Sequence, residues 1–512
     1  MCGRYASGRL RRKSAEPEEP DKISLRWGGE KVFPKYPKEV RETDVREENG
    51  FVLPESFVTF VLERSVFRSR DSRSNMESQL IKNCRVFSLT EQKGEAIDYK
   101  NGAVGIVGNR IAFVGDDPNA IARFEQEHGA ELRVVDARGM LLLPGLINLH
   151  NHVAMTLMRG YANDMELQSW LTEKIWPFEA KLTPEDVRRG AALGVVEMVL
   201  GGTTTFADMY WHTDQIIEQA IQSGVRMVAC PAFTESVFEG YLDQVGRMIE
   251  RYHGAAAGRI AVWVAPHAPY TCRPEQIRDS LSLCRKYGVG VHIHLSETAS
   301  EVETVRERYG QTPIRLMQEL GVFEYPTLAA HCVYPTDEEI EILRNDQVTV
   351  VYNPQSNMKL ASGVAPISRM LEKDINVCIG TDGPSSNNDL DMWDEMRTGA
   401  LLQKVATGDP RALPAEAVFR MVTVDAAKAI GHAGELGIVA EGALADLILV
   451  DLDQPHYTPD YDLIGNLVYC GRASDVDTVW IDGRLVVRSR QLMTLDFETI
   501  KREVRQTLQK FV

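Results

Sequence analysis

Cysteine is sparse and unpaired, with eight scattered through 512 residues and no CxxC pair. Neither a disulfide framework nor a cysteine zinc site is indicated, and a reducing cytoplasm is the simplest compartment. Long apolar runs are also missing, none approaching the length of a membrane span. The opening Met1-Cys2-Gly3-Arg4-Tyr5 lacks the apolar core of a signal peptide. Positive charge is in deficit, the formal net charge being −16. That disfavours nucleic acid as the main partner and leaves neutral or zwitterionic small molecules. What is present is an ordinary soluble composition, 44% hydrophobic and 25% charged, in a chain too long for one ordinary domain.

Residues 1–75 differ from the rest, carrying 16 Lys/Arg against 13 Asp/Glu, so the remainder holds a net charge of −19. Pro, Glu and Arg clusters interrupt every apolar run there, which predicts an N-terminal extension of poor order. Met76 opens a credible start for the folded part. From about 79 to 143 short β-type runs such as Ala103-Val104-Gly105-Ile106-Val107 alternate with Gly, Asn and Asp turns. Similar runs return in Ala445–Val450 and Val479–Val487, so one small β-sandwich is expected from both flanks, 79–143 and 437–490. A helix closes the chain over 491–512, with Ile500, Val504, Leu508 and Phe511 at helical spacing as a packing face.

Between the flanks, 144–436 repeats strand, loop and helix. Eight strand candidates are expected: Leu142–His150, Thr203–Asp208, Arg226–Cys230, Ile260–Ala265, Val289–Leu295, Thr327–Val333, Val348–Asn353 and Asn376–Thr381. Eight such units predict an α/β fold of the closed (β/α)8 TIM type, with a doubly wound sheet as the alternative. Thr183-Pro184-Glu185-Asp186 caps one of the helices and Gly201-Gly202 stops it.

The chemistry gathers at strand ends. Leu149-His150-Asn151-His152 closes the first strand, where residues i and i+2 would face one way and reach one ion. His267 follows the fourth, His294 and Glu297 end the fifth, His331 the sixth and Asp382 the eighth. In a barrel these ends share one rim. A lone histidine is more often a satisfied core or surface residue, but five strands delivering such groups together is another matter. Neutral imidazoles with one carboxylate suit Zn²⁺ or another first-row divalent ion such as Fe²⁺, Co²⁺ or Mn²⁺. Lowering the pKa of a bound water from about 15.7 to about 7 stabilises hydroxide by roughly 12 kcal/mol. Glu297 is placed to carry protons, and His331 to hold the hydroxide or a developing oxyanion. His292 is expected one layer below His294, not as a ligand, and Cys332 as an inert buried thiol.

Leu149-His150-Asn151-His152, His292-Ile293-His294-Leu295-Ser296-Glu297-Thr298, Ala330-His331-Cys332 and Gly380-Thr381-Asp382-Gly383 resemble the amidohydrolase superfamily. Met155–Gly160, Asn353–Leu360 and Ser385-Ser386-Asn387-Asn388 further resemble its 5-methylthioadenosine/S-adenosylhomocysteine deaminases, over about residues 79–490. The resemblance implies one zinc ion per subunit on His150, His152, His294 and Asp382, and hydrolytic release of ammonia from an adenosine-type nucleoside. Glu297 would then shuttle a proton to the purine ring, Asp382 would take the water proton, and His331 would orient the hydroxide. Glu179 would grip the ribose, Trp170 would line the pocket, and Arg259, His267 and Ser386 would contact substrate. Each has a bland alternative: helix packing for Trp170 and Trp176, a solvated charge for Glu179, a surface cap for Arg259 and a loop hydroxyl for Ser386. A homo-oligomer is also implied.

The family often carries an arginine after the third strand for the amino-acid carboxylate; here the stretch is Phe238-Glu239-Gly240-Tyr241-Leu242-Asp243-Gln244. That favours methylthioadenosine or adenosine over S-adenosylhomocysteine. The same metal site could instead serve guanine, another purine, a pterin or an s-triazine, or belong to a non-catalytic scaffold. The PCxxC element of cytidine deaminases is absent. The first six residues resemble the start of the SRAP family, whose cysteine reacts with abasic DNA. No continuation of that domain follows, and the plainer reading of Cys2 is a fragment or misjoined exon.

Overall fold

A computed structural model describes residues 77–511; the expectations for Cys2 and for the 1–75 extension lie outside them. The first strands are β1 (Ser78–Leu89), β2 (Ala96–Val107), β3 (Arg110–Gly115), β4 (Arg133–Asp136) and β5 (Met140–Pro144). The central part supplies β6 (Leu146–Asn148), β7 (Thr203–Tyr210), β8 (Arg226–Phe233), β9 (Ile260–Val262), β10 (Ala265–Pro266), β11 (Val291–Leu295), β12 (Thr327–His331), β13 (Thr349–Tyr352) and β14 (Val377–Ile379). The chain ends through β15 (Leu447–Asp451), β16 (Val476–Ile481), β17 (Arg484–Arg488) and β18 (Gln491–Leu492).

Both flanks meet in one nine-stranded sheet ordered β18-β17-β16-β15-β5-β1-β2-β3, with β4 on β1. The central strands form two parallel sheets, β10-β8-β7-β6 with β9 on β8, and β11-β12-β13-β14. Every residue of β7, β11, β12 and β13 is buried. Strands covered on both faces read as unbroken apolar runs and not as alternation. Backbone hydrogen bonds link the two sheets at both edges, from His292 to the Val264 carbonyl (2.9 Å) and from Leu149 to the Ile379 carbonyl (3.1 Å).

The helix Pro184–Leu200 begins with a capping box between Thr183 and Asp186 and ends at Gly201. The terminal helix Phe497–Leu508 lays Ile500 and Val504 into the core and packs on it. No helix among the described residues is long and apolar enough to cross a membrane.

Two expected strands are divided. Leu142–His150 breaks at Gly145: β5 belongs to the flank sheet, and only β6 joins the parallel one. A Cβ at Gly145 would come within 2.3 Å of the Thr204 side chain, so the close crossing needs glycine. His150 and His152 therefore lie beyond the strand, and pleat alternation is not what aims them. Their segment is held by the Asp382 amide on the His150 carbonyl (2.9 Å) and the Met209 amide on the Asn151 carbonyl (3.0 Å). The fourth candidate, Ile260–Ala265, splits into β9 and β10.

Candidate active site

His150 and His152 follow β6, His294 lies in β11 and Asp382 follows β14; their ligand atoms all lie within 4.8 Å of one another. Asp382 Oδ1 is 3.3 Å from His150 Nε2 and 3.2 Å from His152 Nε2. The other ring nitrogens are engaged on the far side. His152 Nδ1 meets the Met209 carbonyl, His294 Nδ1 the His267 carbonyl at 2.8 Å, and His150 Nδ1 the His292 ring at 2.9 Å. All three Nε2 atoms thus face one point. His150 Nε2 is buried with no hydrogen-bond partner, an arrangement a bound cation resolves. Burial, outweighing the pull of Asp382, lowers the His150 imidazole to about 4, so it is neutral and able to ligate. Three imidazole nitrogens and one carboxylate oxygen fit a first-row divalent ion.

Four non-glycine residues at these strand ends have left-handed backbone: Ser296 (φ 52°), His331 (φ 74°), Cys332 (φ 46°) and Asp382 (φ 60°). Such conformations persist only where surroundings enforce them. At Ser296 the enforcing group is Glu301, whose carboxylate accepts the Ser296 amide at 3.0 Å and the Glu297 amide at 2.7 Å. Glu297 Oε1 accepts from Ser362 Oγ at 3.2 Å, and its Oε2 lies 3.8 Å from His331 Nε2. Burial, then the Asp382 charge, pushes the Glu297 carboxyl up to about 8. Asn357 Nδ2 donates to His331 Nδ1 at 3.0 Å, leaving the imidazole proton on Nε2, towards Glu297. Asp382 Oδ2 accepts from Ser356 Oγ (2.6 Å) and Ser386 Oγ (3.0 Å).

A cleft opens over these groups, walled by Trp170, Trp176, Trp211, Tyr270, Leu167 and Leu171. It brings together His152, His267, His294, Glu297, His331, Asp382, Trp170, Glu179 and Ser386. Trp170 starts a π-helical turn, Trp170–Ile175, and Glu179 ends the short helix Trp176–Glu179. Glu179 lies beside Tyr210 and Trp211 with one carboxylate oxygen buried and unpartnered, and burial pushes it up to about 7. His267 bonds Thr271 Oγ1 at 3.0 Å. No lysine or arginine is among the described lining residues.

Arg259 is not brought there. It precedes β9, at the end of the strand opposite the chemistry, where it donates to the Val225 carbonyl (3.2 Å) and sits 4.0 Å from Asp482. The expectation of a substrate contact is corrected accordingly. Sequence reading also missed Tyr210, Trp211, Ser356, Asn357, Ser362 and Glu301. Ser356 and Asn357 lie within the Asn353–Leu360 motif, though the motif alone names no role for them; Glu301 left a signal of its own, since Thr298-x-x-Glu301 has the spacing of a helix cap, and Thr298 does cap Ala299–Tyr309.

A 5-methylthioadenosine/S-adenosylhomocysteine deaminase of Desulforudis audaxviator is 45% identical over 413 residues, 80% of this chain and 95% of the relative. One from Moorella thermoacetica is 44% identical over 433 residues, 84% of this chain and 99% of the relative. A zinc-bound adenosine deaminase structure from Xanthomonas campestris matches with a TM-score of 0.80 and 32% identity, covering 84% of this chain and 98% of that one. A zinc-complexed atrazine chlorohydrolase from Arthrobacter aurescens matches with a TM-score of 0.76 and 25% identity, covering 84% and 99%. The model of the amidohydrolase family matches residues 141–486. With two thirds of its length under that match and its four metal-type donors converging at the strand ends, the chain belongs to the amidohydrolase family.

Proposed function

We propose that this protein is a zinc-dependent hydrolase that deaminates an adenosine-type nucleoside, 5'-methylthioadenosine, adenosine or S-adenosylhomocysteine, to the inosine-type product and ammonia. The observation that carries the reading is the pairing of the His150, His152, His294 and Asp382 cluster with Glu297 and His331 at the floor of an aromatic cleft. Relatives 41–46% identical bear the deaminase name.

When bound, a divalent cation on those four ligands supplies the Lewis acidity that makes water a usable nucleophile near neutral pH. Glu297 holds a proton at the purine ring nitrogen beside the attacked carbon; its raised pKa keeps that proton available around neutrality. His331, with its proton on Nε2, orients the attacking oxygen. Asp382 takes a proton from the water and passes it towards the leaving amine, so that water and nucleoside yield ammonia and the oxo product. Glu179 accepts the ribose hydroxyls, Trp170 stacks along the nucleoside, and His267 lines the substrate's far side. Ser386 acts by holding Asp382.

A closed (β/α)8 barrel over 144–436 and a β-sandwich from 79–143 and 437–490 belong to the same reading, supported by the bonds linking the two parallel sheets and by the shared flank sheet. So do a C-terminal helix within 491–512, a cytoplasmic homo-oligomer and the extension 1–75. A second reading, an s-triazine or purine base as substrate, has the chlorohydrolase likeness in its favour, but an orphan carboxylate such as Glu179 suits vicinal hydroxyls better. A non-catalytic scaffold is disfavoured because every ligand and proton carrier is in place.

Ammonia release by zinc-loaded protein tests the proposal against methylthioadenosine, adenosine, S-adenosylhomocysteine and guanine. Methylthioadenosine and adenosine should lead, because a carboxylate tail finds no cation among the described cleft residues. Glu297→Gln should lower kcat by about 10²–10⁴. Silence on all adenosine compounds, or release from guanine alone, would overturn the reading.

A further inference from the structure

The three imidazoles that face the metal point are anchored in two different ways. His152 and His294 use backbone carbonyls, of Met209 and His267, which fix Nδ1 as the donor and Nε2 as the ligand atom without further help. His150 does not. Its Nδ1 meets another histidine, His292 Nε2, at 2.9 Å. A pair of neutral imidazoles has no inherent direction, since either ring could carry the shared proton. In one direction His150 Nε2 is bare and able to ligate. In the other it bears a proton and cannot.

The direction is settled two groups further down. His292 Nδ1 lies 3.4 Å from Cys230 Sγ, and Cys230 Sγ lies 3.5 Å from the Val228 carbonyl. A carbonyl only accepts, so the thiol donates to it and offers its sulfur lone pairs to His292. His292 therefore donates through Nδ1 and leaves Nε2 to accept from His150. The side chains of His150, His292 and Cys230 are fully buried, so no exchange with bulk water blurs the assignment. We propose that Cys230 and His292 form a relay that sets the tautomer of His150 and so keeps Nε2 free for the metal, both acting as positioning residues and neither as a ligand. The inference rests on the metal-site reading above. It also gives a task to His292, a residue on β11 two positions before His294 that does not line the cleft.

The test is Zn²⁺ affinity, measured by competition with a chromogenic chelator, alongside melting of the metal-free protein. In Cys230→Val the sulfur is gone, and a buried His292 Nδ1–H without a partner favours the opposite tautomer, which turns a donor towards His150 Nδ1. Zn²⁺ affinity should fall about 10–100-fold while metal-free melting stays near wild type. Cys230→Ser restores an acceptor and donor and should recover most of that loss. His292→Leu should weaken binding comparably, and adding Cys230→Val to it should cost nothing more, because residues of one relay are not additive. Should Cys230→Val fail to fold, Cys230→Ala gives the same comparison. A folded Cys230→Val that binds Zn²⁺ as wild type does would overturn the relay alone. Wild-type protein that holds no Zn²⁺ would overturn the metal reading and this inference together.

Discussion

Burial raises both Glu179 and Glu297, Glu297 to about 8 and Glu179 to about 7, with Tyr210 and Trp211 beside Glu179 pulling the other way. Glu179 near 7 is therefore poised between two states. Ionised, it offers both oxygens to vicinal hydroxyls; protonated, it offers fewer lone pairs and less charge. Affinity for an inosine-type product should accordingly rise between about pH 6 and about pH 8, and Glu179→Gln should flatten the rise. Calorimetric titration across that range decides it, a flat wild-type profile counting against the role. For folding the sign is opposite. A carboxyl raised in the folded chain contributes most below its unfolded value of 4.5, and the contribution fades as pH climbs through about 7. Of the site, the residue types that ligate metal or move protons were legible, because few other reasons put His and Asp at so many strand ends. Ser356, Asn357 and Ser362 were not. Their roles arise from contacts across 26 to 65 residues of sequence, and serine or asparagine in a loop has many duller explanations.

The segment Trp170–Glu179 carries much of the cleft wall yet consists of one π-helical turn and a four-residue helix, elements with little stability of their own. Its anchor is the end of the chain. Phe178 stacks on Phe511 with centroids 4.1 Å apart, and Lys510 binds Asp186 at 2.7 Å. The helical spacing of Ile500, Val504 and Leu508 disclosed a packing face, but no local pattern says that the face ends one residue from Glu179. Such an aromatic pair is worth about 0.5–1.5 kcal/mol beyond its buried area. If that energy orders the wall, Phe511→Ala should raise KM about two- to tenfold with kcat unchanged, read in steady-state assays. An unchanged KM would make the contact merely structural. The divided first strand teaches a related lesson. Pro144-Gly145 interrupts the apolar run between Leu143 and Leu146, a break legible in the sequence, yet the expected strand Leu142–His150 spans it; the tight crossing at Gly145 assigns the two halves to different sheets.

Across the whole folded chain, the sheet made from both flanks must be fastened to the central strands that hold the site. Arg226, opening β8, donates to Asp446 Oδ2 at 2.7 Å and Asp482 Oδ1 at 2.8 Å, and all three are almost fully buried. Asp446 precedes β15 and Asp482 follows β16, and the Asp446 carbonyl also takes the Gly145 amide at 2.9 Å, where the chain passes from one sheet to the other. Arg259 belongs to this junction as well, which is why reading it as a substrate ligand failed: its charge answers Asp482, more than 200 residues away in sequence, at the opposite end of the strands from the cleft. A buried ion cluster need not add net stability over apolar packing, but removing one member strands the rest in low dielectric. Asp446→Ala should therefore destabilise by about 3–5 kcal/mol in denaturant melts. Arg226→Met combined with Asp446→Leu, which leaves only Asp482 to be satisfied by Arg259, should lose markedly less. Because the junction and the cleft sit at opposite ends of the same strands, deaminase activity per folded molecule should stay near wild type in both variants. A matching loss of kcat at a temperature where Asp446→Ala remains folded would mean that the flank sheet does more than hold the catalytic strands in register.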